Sequence, residues 1–429
     1  MHVGLDFGTT NSSLAVADAH GKVLLARFPY ASGETESFRS LLYLERLRDA
    51  HRTTIKSWSG PIGIEHYLES DEKGRLIQSL KSFLSSRSLL STEIFGRQFQ
   101  LEELVGNILR DIRVQAEKQF GPGVRNAVVG RPVRFVGADS AEDDDFAVHR
   151  LRLALHTAGF EHVTFQYEPV AAAYYYESGL DHDELIFIGD FGGGTSDFSL
   201  LRVGPTMRGR GRRPEDLLGT EGLGLAGDAF DAKIIRHLVS PALGAGSHLD
   251  SFGKILPVPN WVYFKLERWH HLSLLRSRET LNLLRSVASQ ALERTKIEAL
   301  IYLVEHDLGY QLHRAVQHVK VALSHEDRAV FRFDDGDVQL EKELARSTFE
   351  HWIADELAAI ESSMNNLLSK TGAEARDVDM VFLTGGSSFV PAVRRIFEEH
   401  FGAQKIRTGD EFTSVARGLA LSAPQGASR

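Results

Sequence analysis

The sequence predicts an α/β protein built from two duplicated lobes, each with an outer subdomain, and a ligand-binding cleft between them. Two observations carry this. The stretches Val3 to Val16 and Ile186 to Leu201 share one design: an apolar strand, Asp-Phe-Gly, small hydroxyl-bearing residues and a second apolar strand. Two copies of a device so far apart indicate duplication, each copy heading its own lobe. At 429 residues the chain also exceeds what one ordinary core organises. The lobes are placed at 1–182 and 183–410, with outer subdomains at about 30–104 and about 228–330. A closing helix at about 411–429 is expected to pack back on the first lobe.

The first hairpin presents Asp6, Gly8, Thr9, Thr10 and Asn11 at its turn. A strand-like run from Lys22 to Phe28 follows, then an irregular stretch with strand-like Leu41 to Leu44 and a helix starting at Ile94 or Leu101. Leu101, Leu104, Val105, Ile108, Leu109 and Ile112 form a helical stripe suited to packing on a sheet. Gly121-Pro122-Gly123 ends it. Asn126 to Val133 reads as a buried strand entering a turn. Gly130, near its carboxyl end where α/β sheets bind ligands, is either a cleft-lining turn or a plain strand terminus. The run Glu142 to Asp145 resembles a cation cluster, yet consecutive carboxylates diverge around a helix and acidic residues favour its first turn. A helix from about Ala141 to Thr157, closed by Gly159, is therefore expected. Glu168-Pro169 opens another helix with proline at an allowed early position. Glu168 either faces the cleft or simply complements the helix dipole.

In the second hairpin, Gly192, Gly193 and Gly194 let the backbone take positive φ and bring successive N–H groups to an anion without a Cβ in the way. Thr195 adds a hydroxyl. Asp190 and Asp197 bracket the loop, and a carboxylate beside a phosphate repels it unless a cation intervenes or the carboxylate orients a water. The combination points to a magnesium nucleotide. Met207 to Pro214 is a short basic patch, read as a hairpin tip. Gly222-Leu-Gly224-Leu-Ala-Gly227 satisfies the dinucleotide pattern literally, but Leu217 to Glu221 is not a convincing buried strand and the βαβ context is missing. A glycine loop before a helix from Asp228 to Leu238 is the better reading. Pro241 to Pro259 reads as a connection, followed by a helical section to Leu323. His270 and His271 point apart on a helix, with only Glu267 one turn away, and read as solvated rather than metal-binding. Gln317, Lys320 and Ser324 share one helical face, as they would on any amphipathic surface helix. A helix from about Lys342 to Lys370, the strand Met380 to Leu383, Thr384 to Ser388 leading to a helix after Pro391, and a closing turn and helix from Asp410 to Ala420 complete the chain. A strand ending in Gly385-Gly386 lets a purine lie against bare backbone.

Hydrophobic residues are 42% and charged residues 25%, with no apolar run long enough to span a bilayer. A net charge of −9 gives no overall drive towards nucleic acid, and the basic patch lacks a broad face with interleaved aromatics. The absence of cysteine excludes disulfides and thiolate metal sites and fits a cytoplasmic protein.

Asp6-Phe-Gly-Thr-Thr-Asn-Ser, Asp190-Phe-Gly-Gly-Gly-Thr and Leu383-Thr-Gly-Gly-Ser387 resemble the two phosphate motifs and the adenosine motif of the actin-like ATPase superfamily. Tyr167-Glu-Pro-Val-Ala-Ala-Ala173 is similar to a segment of DnaK-type heat-shock chaperones, and the match is closest to their short YegD-like branch, which consists of the nucleotide-binding domain alone. The resemblance implies two ribonuclease-H-like lobes with ATP and Mg²⁺ in the central cleft. Gly8, Thr9, Thr10, Asn11, Gly192, Gly193, Gly194 and Thr195 would hold phosphates, with Gly227 approaching them. Asp6 and Asp190 would carry the metal through its waters. Asp197, Glu168 and Thr195 would form the catalytic set, the first two orienting the attacking water. Gln317, Lys320, Ser324, Gly385, Gly386 and Ser387 would surround adenosine.

Two departures from that family stand out. Its catalytic lysine follows a glycine in the outer part of the first lobe, whereas Gly63 to Tyr67 contains no lysine; Lys81 comes later and is matched to a structural basic residue. Phe389 stands where the family usually has arginine, implying aromatic stacking on adenine. The expectation is a slow ATPase whose lobe closure regulates a protein partner, monomeric, with neither nucleic acid nor membrane as partner. Only Ser422 to Arg429 follow the closing helix, so no peptide-binding domain is expected. A sugar-kinase-like phosphotransferase, an actin-like filament and a nucleotide-dependent binding module without turnover are the alternatives.

Overall fold

The duplication is carried by two sheets of identical strand order. In the computed structural model, which describes residues 2–18, 20–49, 52–70, 74–210, 213–268, 275–336, 338–408 and 413–422, the first sheet contains β1 (His2–Phe7), β2 (Asn11–Ala17), β3 (Val23–Leu25), β4 (Asn126–Arg131) and β5 (His162–Tyr167) in the order β5-β4-β1-β2-β3. The second contains β6 (Glu184–Phe191), β7 (Ser196–Val203), β8 (Leu217–Leu223), β9 (Met380–Thr384) and β10 (Ile406–Thr408) in the order β10-β9-β6-β7-β8. In each, three strands run antiparallel through tight turns and two more pair in parallel. Parallel pairs need long crossovers, and helices supply them.

The chain divides into two units, residues 1–227, 359–388 and 393–429 forming the first and 228–358 with 389–392 the second. Both sheets belong to the first unit. Helices Leu101–Phe120 and Ala141–Thr157 bury the expected apolar stripe, Leu104, Val105, Ile108, Leu109 and Ile112 among it, in one core with β1 and β4. The Ser140 hydroxyl caps the second helix by accepting the Asp143 N–H at 3.2 Å, so the acidic run is first-turn charge. Between the sheets lie helices Glu168–Glu177 and Ser414–Ser422, in a core with Val128, Ile186, Ile188, Leu201 and Phe382. The closing helix comes so near that a Cβ on Gly418 would collide with the Ala171 carbonyl, and one on Gly4 with the Ala416 and Ala420 backbone. Phe187, Phe191 and Phe198 of the second sheet pack edge and face against Phe397 of the helix Pro391–Phe401.

The second unit contains helices Arg278–Gln290, Arg294–Glu305 and Gly309–His325 and two hairpins, His248–Ser251 with Lys254–Pro257 and Arg328–Asp335 with Val338–Ala345.

Several local expectations are corrected. Leu217–Leu223 is a strand after all; it is a half-buried edge strand and so needs no continuous apolar run. The basic stretch forms a short helix, Pro205–Arg210, with proline at its first position. The connection after Pro241 contains a hairpin. The helix expected from Lys342 begins at Arg346, because Val338, Leu340 and Leu344 alternate with polar residues as a half-buried strand does. Outer strands Leu41–Asp49, Arg52–Ser59 and Arg75–Gln78 and the hairpin Ser91–Ile94 with Arg97–Gln100 replace the irregular stretch. His270, His271 and Asp410 lie outside the described residues.

Candidate functional site

Equivalent strand ends place equivalent carboxylates. Asp6 is the penultimate residue of β1 and Asp190 of β6, at the carboxyl ends of the two central strands. The glycine turns that follow face each other: a Cβ on Gly194 would stand 3.6 Å from Thr9 Oγ1. Neither Gly8, Gly192 nor Gly194 takes a positive φ, which corrects the expectation of left-handed glycines. What Gly8 needs is room, since a Cβ there would strike the Asn11 carbonyl. The Gly192 N–H donates to the Thr195 carbonyl at 2.9 Å and closes the second turn. The N–H groups of Gly193 and Gly194, both half-exposed, have no partner among the described residues. Free donors in a row on an open turn suit an anion. The Gly227 N–H and the Ser387 hydroxyl both donate to the Gly192 carbonyl at 3.4 Å, so these two predicted residues gather at the same turn.

Beneath the turns lies a buried charge cluster. Lys81 Nζ is 2.6 Å from Glu168 Oε1, with side chains 7% and 8% exposed. Asp197 is buried and accepts the Val133 N–H at 2.8 Å and the Arg134 N–H at 3.4 Å. The turn after β4 thus fixes its orientation. A Cβ on Gly130 would stand 3.0 Å from Glu168 Cγ, so this glycine makes room for Glu168 rather than merely ending a strand. Asp190 sits directly opposite Asp197 across the hairpin, where like charges destabilise a strand pair. Burial, reinforced by Glu168, raises Asp6 to about 7, with Lys81 pulling the other way. Burial and Glu168 likewise raise Asp197 to about 7 against the Thr195 hydroxyl and Val133 N–H. Asp190 is pushed well above the carboxylate range by burial, then by Glu168, Asp6 and Asp197. Burial opposes the charge on Lys81, yet Glu168 and Asp6 outweigh it and its pKa rises.

Lys81, matched in the sequence to a structural basic residue, stands within this cluster. It lies on a one-turn helix, Leu80–Phe83, entered through Ser79, which is buried and left-handed at φ 53°. Glycine adopts that conformation without strain, so a search keyed on glycine passes this position by.

Four carboxylates against one ammonium leave the cluster short of positive charge, which fits a cation. Among the described residues no three acidic or imidazole groups converge as a direct cage. Asp6 and Asp190 are the two carboxylates that could meet a Mg²⁺ through its waters, as suits an ion that dehydrates reluctantly.

The remaining predicted residues are divided. Gly385, Gly386 and Ser387 belong to the first unit, while Gln317, Lys320, Ser324 and Phe389 belong to the second. Gly385 takes φ 83°, and a Cβ there would collide with the Phe191 carbonyl, so its lack of a side chain lets the two backbones approach. In the second unit Lys320 Nζ lies 2.7 Å from the buried Asp231, and the Ser324 hydroxyl donates to the Lys320 carbonyl at 3.3 Å.

Residues 62–250 and 287–425 match the family model described as Hsp70 protein. The chain belongs to the Hsp70 family. It is 25% identical over 431 residues to chaperone protein dnaK of Gracilaria tenuistipitata var. liui and 26% identical over 431 residues to chaperone protein DnaK of Thermus thermophilus, covering 98% of this chain and 60% of each relative. Against chaperone protein dnaK of Guillardia theta the identity is 25% over 438 residues, covering 98% and 59%. This Hsp70 chain thus spans about three fifths of the length of the curated relatives it matches. Its paired sheets have the actin-like ATPase topology of the Hsp70 family. No helix among the described residues is long and apolar enough to cross a membrane.

Proposed function

We propose that this Hsp70 chain binds MgATP at the Lys81 and carboxylate cluster and hydrolyses it slowly, the nucleotide state being read by a protein partner. The observation that carries the reading is Lys81, buried 2.6 Å from Glu168 in the field of Asp6 and Asp197. An ammonium kept there among more carboxylates than it can neutralise is suited to an anionic ligand arriving with its own cation. Phosphates would be held by the turns at Gly8 to Asn11 and Gly192 to Thr195, and the magnesium waters by Asp6 and Asp190. Bound Mg²⁺ would supply charge neutralisation and polarise phosphoryl oxygens. The protein's own contribution is positioning and charge stabilisation. Asp197, locked by the Val133 N–H and raised to about 7, is poised to orient a water and take its proton near neutral pH. Glu168 orients the same water while Lys81 holds it in place.

The presence of Lys81 favours turnover over a binding module without it. Calorimetry with ATP, with and without Mg²⁺, followed by single-turnover measurement of phosphate release tests the reading. Binding indifferent to Mg²⁺, or no binding, would overturn it.

A further inference from the structure

The turn that delivers Lys81 to the cluster brings a second donor with it. The outer strand Arg75–Gln78 runs into the one-turn helix Leu80–Phe83, and Ser82 directly follows the lysine. With three residues per turn, neighbouring side chains on such a helix diverge by about 120°, so Ser82 faces elsewhere than Lys81. Its backbone is fixed. The Ser82 N–H donates to the Ser79 carbonyl at 3.0 Å, and one turn on the Ser85 hydroxyl donates to the Val136 carbonyl at 2.5 Å, tying the segment to the loop after β4. The Ser82 hydroxyl, half-buried, makes no hydrogen bond among the described residues, although a serine on helical backbone can ordinarily reach one of its own carbonyls.

That hydroxyl stands at the glycine turn of the second hairpin. Its Oγ is 3.6 Å from the position a Cβ on Gly194 would occupy, the same distance as Thr9 Oγ1 of the first turn. Thr9 is only 9% exposed, and its hydroxyl also has no partner among the described residues. Hydroxyls from two separate segments therefore flank one glycine whose own N–H, with that of Gly193, is unpaired. Buried polar groups normally find partners within the fold. Two hydroxyls left open beside two free N–H groups form a set of donors that lacks an acceptor.

We propose that Ser82 is a further phosphate ligand, donating its hydroxyl to the terminal phosphoryl group of a bound nucleoside triphosphate and so helping the site prefer triphosphate to diphosphate. The inference rests on the MgATP reading above. Under that reading Asp197 and Glu168 orient the attacking water beside Lys81, so the phosphoryl group nearest Lys81 is the one transferred. Ser82 adjoins Lys81 in the chain, and Gly194 leads through Thr195 and Ser196 into Asp197. A group held between Ser82 and Gly194 is therefore the terminal one. A diphosphate lacks that group and leaves the hydroxyl unused.

Calorimetry in the presence of Mg²⁺ tests this, with ADP and with the β,γ-imido analogue of ATP, which keeps its terminal phosphoryl group through the titration. Ser82→Ala is expected to weaken binding of the triphosphate analogue about tenfold or more, the scale of a hydrogen bond to a charged group, and to leave ADP binding unchanged. Ser82→Thr, which keeps the hydroxyl, is expected to retain the preference. Because the hydroxyl has no partner in the nucleotide-free protein, Ser82→Ala without nucleotide should melt at the wild-type temperature. An equal loss for both nucleotides, no loss for either, a Ser82→Thr protein as weak as Ser82→Ala, or a lowered melting temperature without nucleotide would overturn the inference and leave the site reading standing. A wild type that binds neither nucleotide would overturn the site reading, and this inference with it.

Discussion

Lys81→Met should unfasten the first unit far more than Glu168→Gln does. The ion pair is 2.6 Å long with both side chains under a tenth exposed. At an effective dielectric near 20, a pair at that distance attracts by about 6 kcal/mol, much of it offset by the desolvation of both ions. Removing one partner of such a pair leaves a buried charge uncompensated, and the usual loss is about 3–5 kcal/mol. Lys81 also neutralises Asp6 and Asp197, so its loss belongs at the upper end of that range. Glu168→Gln leaves the ammonium with those two carboxylates and should cost only about 1–2 kcal/mol, the scale of a hydrogen bond to a charged group. Combining the substitutions should recover part of the lysine loss, since Glu168 is then no longer charged and alone. Hydrogen exchange of peptides spanning β1 and the β6–β7 hairpin reads this directly. A loss of about 4 kcal/mol is close to a thousandfold fall in protection, as each 1.4 kcal/mol is tenfold. A Lys81→Met protein within tenfold of wild type, or a Glu168→Gln protein as damaged as Lys81→Met, would refute the reasoning.

Four further outcomes are expected. Asp197→Asn and Glu168→Gln should slow single-turnover hydrolysis at least tenfold while changing ATP affinity less, because their partner is the water; rates equal to wild type would remove them from the mechanism. Asp190→Asn removes a carboxyl that burial and its acidic neighbours hold well above the ordinary range, so the nucleotide-free variant should gain stability over wild type as pH rises, while calorimetry shows the Mg²⁺ dependence of ATP binding diminished. Gly418→Ala forces a Cβ into the Ala171 carbonyl and should cost about 1–3 kcal/mol or more, seen as a lowered melting temperature. Asp111, held by the Ser59 hydroxyl at 2.5 Å, has its pKa raised chiefly by burial. The native state therefore binds this proton more tightly than the unfolded chain, so its contribution to stability falls as pH rises above about 4. Asp111→Asn should gain on wild type through that window, and a pH-independent difference in melting temperature would count against it.

Much of the fold was legible because the signals are local. The two Asp-Phe-Gly turns, the stripe from Leu101 to Ile112 and the acidic first turn after Ser140 each follow from the spacing of neighbouring residues, and backbone geometry enforces them within a few ångströms. Duplication then placed Asp6 and Asp190 at equivalent strand ends without further information. Lys81 was different. It meets Glu168 across 87 residues of chain, it is buried where lysines are rarely found, and Ser79 occupies the left-handed turn that a glycine would have announced. The edge strand Leu217–Leu223 and the strand Val338–Ala345 were obscured for a related reason: half-buried strands need few apolar residues, and only the neighbour each one pairs with shows which side is covered. Ser82 was visible only as one more hydroxyl in a serine-rich stretch. That it stands beside Gly194 and Thr9 depends on where the turn carrying Lys81 meets the two hairpins, and such proximity is a property of the assembled fold rather than of any stretch of sequence.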